Sequence, residues 1–325
     1  MRKNWFIAGF LLLTGCAVFI PMRVGPPSDI QVEITAERVE LGTKLAEGIL
    51  ACGSCHTTGN FAGDPQLDKY LAGDVWTLEM EGTLTVPNIT PDKETGIGNW
   101  TDGEIIRAIT KGLNKDGRQL FPAMPWPEFD VALSMEEVCS IVAYLRTVPE
   151  PVRNVVPDNK LKLPVSMIMS TGMIYRMVTK NPMFADYEPR SDTPVERGKR
   201  LAYMGMCVDC HAYAPGMMPK YGEPLAGGFA NRMTDGKFVA CSNLTPDEET
   251  GIGSFTDEEL YQSIKYGKRL RPLPETEMVR WPMMPRIPNH TLLTDEEIND
   301  LIAFFRSQEP IKHDIMKKAE ELSQK

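Results

Sequence analysis

Two short segments of the sequence place a pair of cysteines three residues apart, and a histidine directly follows each pair. The first is "ACGSCHTTGN", residues 51 to 60, and the second is "MCVDCHAYAP", residues 206 to 215. Thiolates and imidazoles are nucleophiles and metal ligands, so their spacing limits the chemistry. Three chemistries use cysteines at this spacing: a thiol–disulfide pair, a zinc site and the covalent attachment of haem c.

Haem attachment accounts for the whole motif. Redox dithiols occur in a βαβ context, which the sequence does not indicate, and a structural zinc site needs four ligands. Two thiols one helical turn apart can each add to a haem vinyl group, and the next histidine then lies beneath the iron as its proximal ligand. We therefore predict two haem c groups, with a redox or metal site as the alternative. The predicted thioether cysteines are Cys52, Cys55, Cys207 and Cys210, and the predicted proximal ligands are His56 and His211.

A methionine between prolines follows each motif. Met124 in "PAMPW" and Met284 in "PMMPR" occupy the same position in a sequence repeat, and the prolines stiffen the loops that present them. A methionine thioether opposite the histidine raises the reduction potential of the iron. We predict that both methionines are distal ligands, and core packing is the alternative for each. Met283 is a weaker choice than Met284, because its counterpart in the repeat is Ala123.

The motifs lie within two copies of one larger sequence unit. "NITPDKETGIGNWTDGEI" at 88 to 105 matches "SNLTPDEETGIGSFTDEEL" at 242 to 260, and residues 121 to 138 match residues 281 to 298. A repeat of this length predicts two copies of one domain. The predicted limits are 36–150 for the first domain and 191–310 for the second, with a linker at 151–190 and a C-terminal tail at 311–325. The end of this tail, "MKKAEELSQK", is predicted to be a solvated helix.

Helices must position these ligands, and their starts are marked in the sequence. Four S/T-x-x-E capping boxes each open a stretch with helical apolar spacing, and a further helix is predicted before each cysteine motif. No segment alternates convincingly between apolar and polar residues as a strand would, so we predict an all-α fold with long loops rich in glycine and proline. The boxes pair Thr101 with Glu104, Ser134 with Glu137, Thr256 with Glu259, and Thr294 with Glu297.

The N-terminus has the pattern of an export signal. "MRKNW" supplies positive charge, "FIAGFLLL" an apolar core, and "LTGC" places small residues before Cys16, as in the lipobox of bacterial lipoproteins. The prediction is a signal peptide at 1–15, lipidation of Cys16 and a tether at 16–35. An uncleaved anchor is the alternative, although the apolar stretch is short for a membrane span. Either reading places the folded part outside the cytoplasm, on a membrane face.

A resemblance to a known family follows from the order of these motifs. The order of motifs in the first copy resembles that of a class I cytochrome c domain: Cys-x-x-Cys-His, then "NITPD", then "P-A-M-P" and a final helix ending in "YLRT". Both copies together are similar to the multihaem cytochrome c subunits of membrane-bound alcohol and gluconate dehydrogenases. This resemblance implies two tandem domains with one covalent haem c each, and a histidine and a methionine on each iron. Many members of that group carry three haem motifs, whereas this chain has two.

Two functions compete on these observations. The leading prediction is an electron carrier on the periplasmic side of a bacterial membrane, between a dehydrogenase or quinol-oxidising donor and an acceptor such as an oxidase or a small cytochrome. The alternative is a dihaem enzyme such as a cytochrome c peroxidase, which needs one haem with an open distal site. Matching methionines in both copies count against the enzyme. A nucleic-acid partner does not fit the formal net charge of -9.

The remaining reactive side chains have simpler interpretations. A surface position is predicted for His290 and an exposed one for His313, whereas Cys139 and Cys241 are predicted to be unpaired thiols rather than a disulfide. Arg118 and Arg269 are surface charges that could also neutralise haem propionates.

Overall fold

A computed structural model describes most of the chain. The described residues are 25–60, 64–78, 81–163, 165–170, 192–212, 224–228, 230–232, 238–271, 287–315 and 317. The predicted signal peptide, Cys16, Met284 and residues 171–190 of the predicted linker lie outside them. None of the helices among the described residues has the length and apolar character needed to cross a membrane.

Two long helices enclose most of the elements of the first half. Between them lie a short helix with the first cysteine motif, a β-hairpin, a middle helix and a short helix after Met124. A third strand and a further short helix follow. In chain order the elements are α1 (Ala36–Glu47), α2 (Cys52–His56), β1 (Asp74–Leu78), β2 (Gly82–Val86), α3 (Asp102–Lys111), α4 (Trp126–Ala132), α5 (Met135–Thr147), β3 (Lys160–Leu161) and α6 (Val165–Ser170).

The second half repeats this order of elements. It consists of α7 (Pro194–Met204), α8 (Cys207–His211), β4 (Ala230–Arg232), β5 (Phe238–Ala240), α9 (Asp257–Tyr266), α10 (Ile287–His290) and α11 (Asp295–Arg306). All four predicted capping boxes are formed, with both reciprocal hydrogen bonds at the start of α3, α5, α9 and α11. The helix starts predicted from the sequence are therefore confirmed.

In each half the first and last long helices cross at a glycine. A Cβ built at Gly42 of α1 would lie 1.9 Å from the carbonyl oxygen of Ser140 in α5. The same atom at Gly198 of α7 would lie 1.8 Å from the carbonyl oxygen of Asp300 in α11. Because no side chain fits in that space, glycine allows the helix backbones to touch. The crossing brings both ends of each repeat together beside its cysteine motif.

A small sheet departs from the all-α prediction. Strands β1 and β2 pair antiparallel, Asp74 opposite Val86, and β3 adds a short third strand beside β2. In the second half β4 pairs with β5. The strand β1 does alternate, with Trp76 buried and Val75 exposed, but five residues give a weak periodic signal. Cross-strand pairing, which the sequence does not display, stabilises these strands.

The two halves pack against each other through equivalent surfaces. Arg200 of α7 donates at 2.6 Å to the carbonyl oxygen of Ala132 and forms an ion pair with Glu137. Its counterpart in α1 is Lys44, two residues after the crossing glycine, which pairs with Glu297 at 2.8 Å. Glu137 and Glu297 are the capping-box glutamates of α5 and α11. Each half therefore contributes one cation and one glutamate to an approximately two-fold interface, around one continuous apolar core.

Some contacts reach beyond the predicted domain limits. Val32, in the predicted tether, donates its N–H to Asp102 at 2.9 Å. Asn159, in the predicted linker, accepts a hydrogen bond from the N–H of Thr85 at 2.6 Å. In the predicted tail, the carbonyl oxygen of Ile311 accepts from Asn243 at 2.7 Å. The ends of these segments are thus tied to the folded core.

Candidate haem sites

Each cysteine motif forms a single helical turn that begins at a left-handed residue. Ala51 precedes α2 with a φ of 47°, and Met206 precedes α8 with a φ of 57°. These are uncommon angles for residues other than glycine. They turn the chain sharply, so that each motif helix follows closely after a long helix. Both cysteines and the histidine of each motif lie within this turn, as the haem prediction requires.

The histidine in each motif is oriented by a backbone carbonyl. His56 Nδ1 lies 2.8 Å from the carbonyl oxygen of Pro87, and His211 Nδ1 lies 2.7 Å from that of Ser242. A carbonyl oxygen can only accept, so Nδ1 carries the proton and Nε2 keeps its lone pair. Histidines that bind metals commonly make this kind of hydrogen bond with their second nitrogen. The lone pair on Nε2 is therefore available to iron.

Burial keeps both imidazoles neutral. Removal from water lowers the pKa of His56 and of His211, and the hydrogen bond to the carbonyl opposes this only in part. Only neutral imidazole has a lone pair to give to a metal. The environment of each histidine therefore favours the form that binds iron.

The "NITPD" segment holds the carbonyl that orients the histidine. Asn88, next to Pro87, donates its amide to the carbonyl oxygen of Val152 at 2.8 Å and to Thr95 at 3.0 Å. Its own side-chain oxygen accepts from the N–H of Thr90 at 2.9 Å. Asn243 makes the same three kinds of contact in the second half. A buried asparagine with all its contacts satisfied thus fixes the chain next to each histidine.

The "TGIG" segment contributes close backbone packing. A Cβ at Gly96 would lie 2.2 Å from the carbonyl oxygen of Thr90, and one at Gly251 would lie 2.1 Å from that of Thr245. Only glycine fits these positions. The segment therefore closes the "NITPD" turn on itself.

An arginine near the end of each final helix ties that turn to the helices. Arg146 donates to Asp102 at 2.8 Å and to the carbonyl oxygens of Trp100 and Ile97 at 2.5 and 3.1 Å. Arg306 makes the equivalent contacts with Asp257 and nearby carbonyl oxygens. The "YLRT" motif supported the resemblance to class I cytochrome c domains, but it did not predict this structural role of its arginine. Its signal was an arginine at matching positions of both repeats.

Met124 lies in the loop before α4. The loop is held by hydrogen bonds from Met124 N–H to Phe121 at 3.0 Å and from Trp126 N–H to Met124 at 2.8 Å. Met124 is half-buried beside the main core, while Phe121 packs on the Trp76 hairpin cluster that also contacts Cys55. The loop and the first cysteine motif thus share a neighbour. Iron ligation by Met124 stays a prediction, as does that by Met284, which lies outside the described residues.

The other two histidines are not the surface residues that were predicted. His290 is 2% exposed, and its Nδ1 lies 3.1 Å from the carbonyl oxygen of Ile264. His313 is half-buried, with Nδ1 2.8 Å from the carbonyl oxygen of Ala226. It takes the place of Asn154, whose amide donates to Ala72 at 2.9 Å in the first half. Packing between distant segments, which the local sequence does not show, buries the ring of His290 and partly buries that of His313.

A pair of acidic residues joins the two candidate sites. Glu128, on the helix after Met124, is buried, and its carboxyl group lies beside that of Asp209, which lies inside the second cysteine motif. Burial, followed by the negative charge of Asp209, raises the pKa of Glu128 well above its usual value. Two carboxyl groups at one buried site hold a proton readily. No local pattern predicts this contact, because the residues belong to different repeats.

Known proteins resemble this chain over most of its length. It is 32% identical over 262 residues to the fructose dehydrogenase cytochrome subunit of Gluconobacter japonicus. The aligned region covers 79% of the chain and 50% of that subunit. It is 33% identical over 274 residues to the cytochrome c subunit of alcohol dehydrogenase (quinone) from Gluconobacter oxydans. This alignment covers 82% of the chain and 53% of that subunit. The chain belongs to this family of cytochrome c subunits.

The cytochrome spans about half the length of these two relatives. It is also 28% identical over 182 residues to a diheme cytochrome c-type protein of Cereibacter sphaeroides, which covers 54% of the chain and 58% of that protein. No protein-family model matches the chain.

The residues of the cytochrome fit haem c. Each motif combines two cysteine side chains on one helical turn with a neutral histidine whose Nε2 is available. In the part of the chain that the structure describes, no three His, Cys, Asp or Glu side chains gather as they would around a metal ion. A structural zinc site would need four such ligands. The donor set of the cytochrome therefore matches haem attachment better than the zinc alternative.

Proposed function

We propose that the chain is a dihaem electron carrier with one haem c attached to each repeat. The observation that carries this proposal is the matching histidine geometry, in which Nδ1 of both His56 and His211 is held by a backbone carbonyl. Haem c, when attached, supplies an iron that cycles between ferric and ferrous states and so carries one electron. The thioether cysteines would be Cys52 and Cys55 in the first repeat, and Cys207 and Cys210 in the second.

The chain's own residues would hold each cofactor and set its properties. The cysteines fix it covalently, the carbonyl of Pro87 or Ser242 keeps the proximal ring in one tautomer, and the "NITPD" turn keeps that carbonyl in place. Met124 and Met284 would be the distal ligands. A methionine on both irons favours electron transfer over reaction with peroxide. We therefore propose electron transfer, rather than peroxidase activity, as the function of this chain.

The donor and the membrane attachment are part of the proposal. Relatives are named as cytochrome subunits of fructose, alcohol and gluconate dehydrogenases. By analogy, the donor would be a membrane-associated dehydrogenase or a quinol-oxidising partner, and the acceptor an oxidase or a small cytochrome. Lipidation of Cys16 would hold the chain on the periplasmic side of a membrane, with residues up to 35 as its tether.

The test is the haem content of exported, full-length protein. Two covalently bound haems per chain are expected, one on each cysteine-motif peptide in mass spectrometry. Replacement of His56 or His211 by alanine should leave the thioether bonds but change the spectrum of that haem alone, because its proximal ligand is lost. A matched control is His313→Ala, which removes a half-buried histidine that belongs to no motif.

Two results would contradict the proposal. Zinc in place of haem would reject the cofactor. Rapid turnover of hydrogen peroxide, with tight binding of carbon monoxide to the reduced protein, would reject the carrier in favour of an enzyme with an open distal site.

A further inference from the structure

A third cysteine lies against the second cysteine motif. Cys241 directly follows strand β5, and its thiol makes a hydrogen bond with the thiol of Cys210. The next residue, Ser242, accepts the hydrogen bond of His211, so this segment runs beside helix α8. On its other side, a Cβ built at Gly227 would lie 2.8 Å from the carbonyl oxygen of Cys241. The backbone therefore holds the Cys241 thiol beside the motif.

The first repeat provides a natural reference for this position. There the equivalent residue is Val86, which precedes Pro87 as Cys241 precedes Ser242. Val86 belongs to the apolar cluster on which Cys55 packs. The two halves thus have the same architecture here, but valine is inert towards the neighbouring cysteine and a thiol is not. At the second site, Cys241 provides a sulfur that can compete for one of the two attachment cysteines.

We propose that Cys241 forms a disulfide with Cys210 in the haem-free chain, and that this disulfide blocks haem attachment at the second site until it is reduced. The inference rests on the proposed haem attachment at Cys207 and Cys210. The proposed export places the chain where disulfides form and persist. Cys210 is exposed, whereas Cys241 is half-buried, so an external oxidant meets Cys210 first.

The oxidant is a disulfide, either of a protein or of oxidised glutathione. The Cys210 thiolate attacks it, forms a mixed disulfide and releases one thiol. Cys241 then loses its proton and attacks the Cys210 sulfur, which forms the internal disulfide and releases the second thiol. Two electrons and two protons pass to the oxidant.

The disulfide and the thioether exclude each other. A thioether forms when the S–H of Cys210 adds across a haem vinyl group, with sulfur on one carbon and hydrogen on the other. A disulfide sulfur carries no hydrogen and cannot make this addition. Two electrons from a dithiol must first restore both thiols. After attachment Cys210 can no longer form a disulfide, and Cys241 remains as a free thiol beside the haem.

The first experiment examines the full-length chain, exported without haem and oxidised with glutathione disulfide. Free thiols are alkylated, and linked peptides are mapped by mass spectrometry. A Cys210–Cys241 link is expected. A link between Cys207 and Cys210 alone, or full alkylation of Cys241, would overturn the proposal. This measurement needs no haem, so its result is separate from the proposed electron transfer.

The second experiment exchanges the residues of the two repeats. Haem on each motif peptide is measured after expression with and without added dithiol. The second site of the wild type should gain occupancy several-fold with dithiol, whereas Cys241→Val should be loaded without it. Val86→Cys should give the first site the same dependence, and Cys241→Ser provides a second variant that retains a polar group.

The outcomes separate the two proposals. Equal loading of the second site in wild type and in both Cys241 variants, without dithiol, would reject the disulfide and leave the carrier intact. Absence of haem from both sites under every condition would reject the carrier, while the disulfide map would still decide the fate of Cys241.

Discussion

The reactive atoms of each candidate site are prepared by backbone groups. A carbonyl oxygen, at residue 87 in one half and 242 in the other, orients the proximal imidazole. Substitution of a side chain does not remove a backbone carbonyl group. The sequence therefore controls this contact through the residues that follow the two carbonyls, Asn88 and Asn243. The distal side is different, because there a single side chain would supply the ligand. Substitution at the residue scale is therefore most informative at Met124.

Replacement of Met124 by alanine should lower the reduction potential of the first haem by on the order of 100 mV, since axial ligands tune haem potentials over a range of about 0.8 V. Loss of the Met124 side chain, and with it the proposed distal sulfur ligand, should also let carbon monoxide bind the reduced haem. A spectroelectrochemical titration of haem-loaded protein measures the potential. Met135→Ala is the matched control, because Met135 is 53% exposed and belongs to helix α5. An unchanged potential in Met124→Ala would assign the distal position to another residue.

At the scale of elements, the crossing of the long helices decides where each motif lies. The cores of both halves depend on direct backbone contact between α1 and α5 and between α7 and α11. Hydrophobic stripes bring such helices together, but the depth of the contact depends on one glycine in each pair. That glycine is seen as essential only once the partner helix is known.

Gly198→Ala should destabilise the second half. The new methyl group would lie 1.8 Å from the carbonyl oxygen of Asp300, so the helices must separate. Overpacking of this kind costs about 1–3 kcal/mol, and a backbone neighbour that cannot rotate away places the cost at the upper end. Urea denaturation measures the loss in the free energy of unfolding. Gly25→Ala serves as the control, because no atom lies within 4 Å of its added Cβ. Equal stability of both variants would refute the close crossing.

At the scale of the whole molecule, the repeats form one packed body. The capping-box glutamates serve twice, since each closes its own helix and also binds a cation from the other repeat. The Glu128–Asp209 contact links the methionine loop of the first repeat to the cysteine motif of the second. Two domains joined only by a flexible linker would lack such contacts. Electron exchange between the proposed haems would therefore require no reorientation of the repeats.

Arg200→Met should weaken this interface by about 1–3 kcal/mol, because the carbonyl of Ala132 and the partly buried Glu137 both lose a charged donor. Urea denaturation provides the measurement, and hydrogen exchange should show faster opening of α4 and α7. Arg38→Met is the control, since Arg38 pairs with the exposed Glu136 within one half. Such surface pairs contribute about 0–1 kcal/mol. Equal losses in the two variants would show that Arg200 does not hold the repeats together.

Local chemistry was readable in the sequence. The cysteine motifs, the repeat and the four capping boxes each depend on residues within five positions of one another or on direct self-similarity, so spacing alone identified them. The short strands were missed, because their stability comes from pairing across the hairpin. The pattern at 16–35 predicts a tether and does not show that Val32 contacts Asp102, seventy residues away.

Contacts between segments that are distant in sequence are visible only in the folded chain. The burial of His290, the meeting of Glu128 with Asp209 and the approach of Cys241 to Cys210 all join residues more than 20 positions apart. No periodicity encodes such pairs, because they depend on how whole elements pack. Spacing along the chain therefore predicted which atoms would bind haem, whereas packing between distant elements placed the other side chains beside those positions.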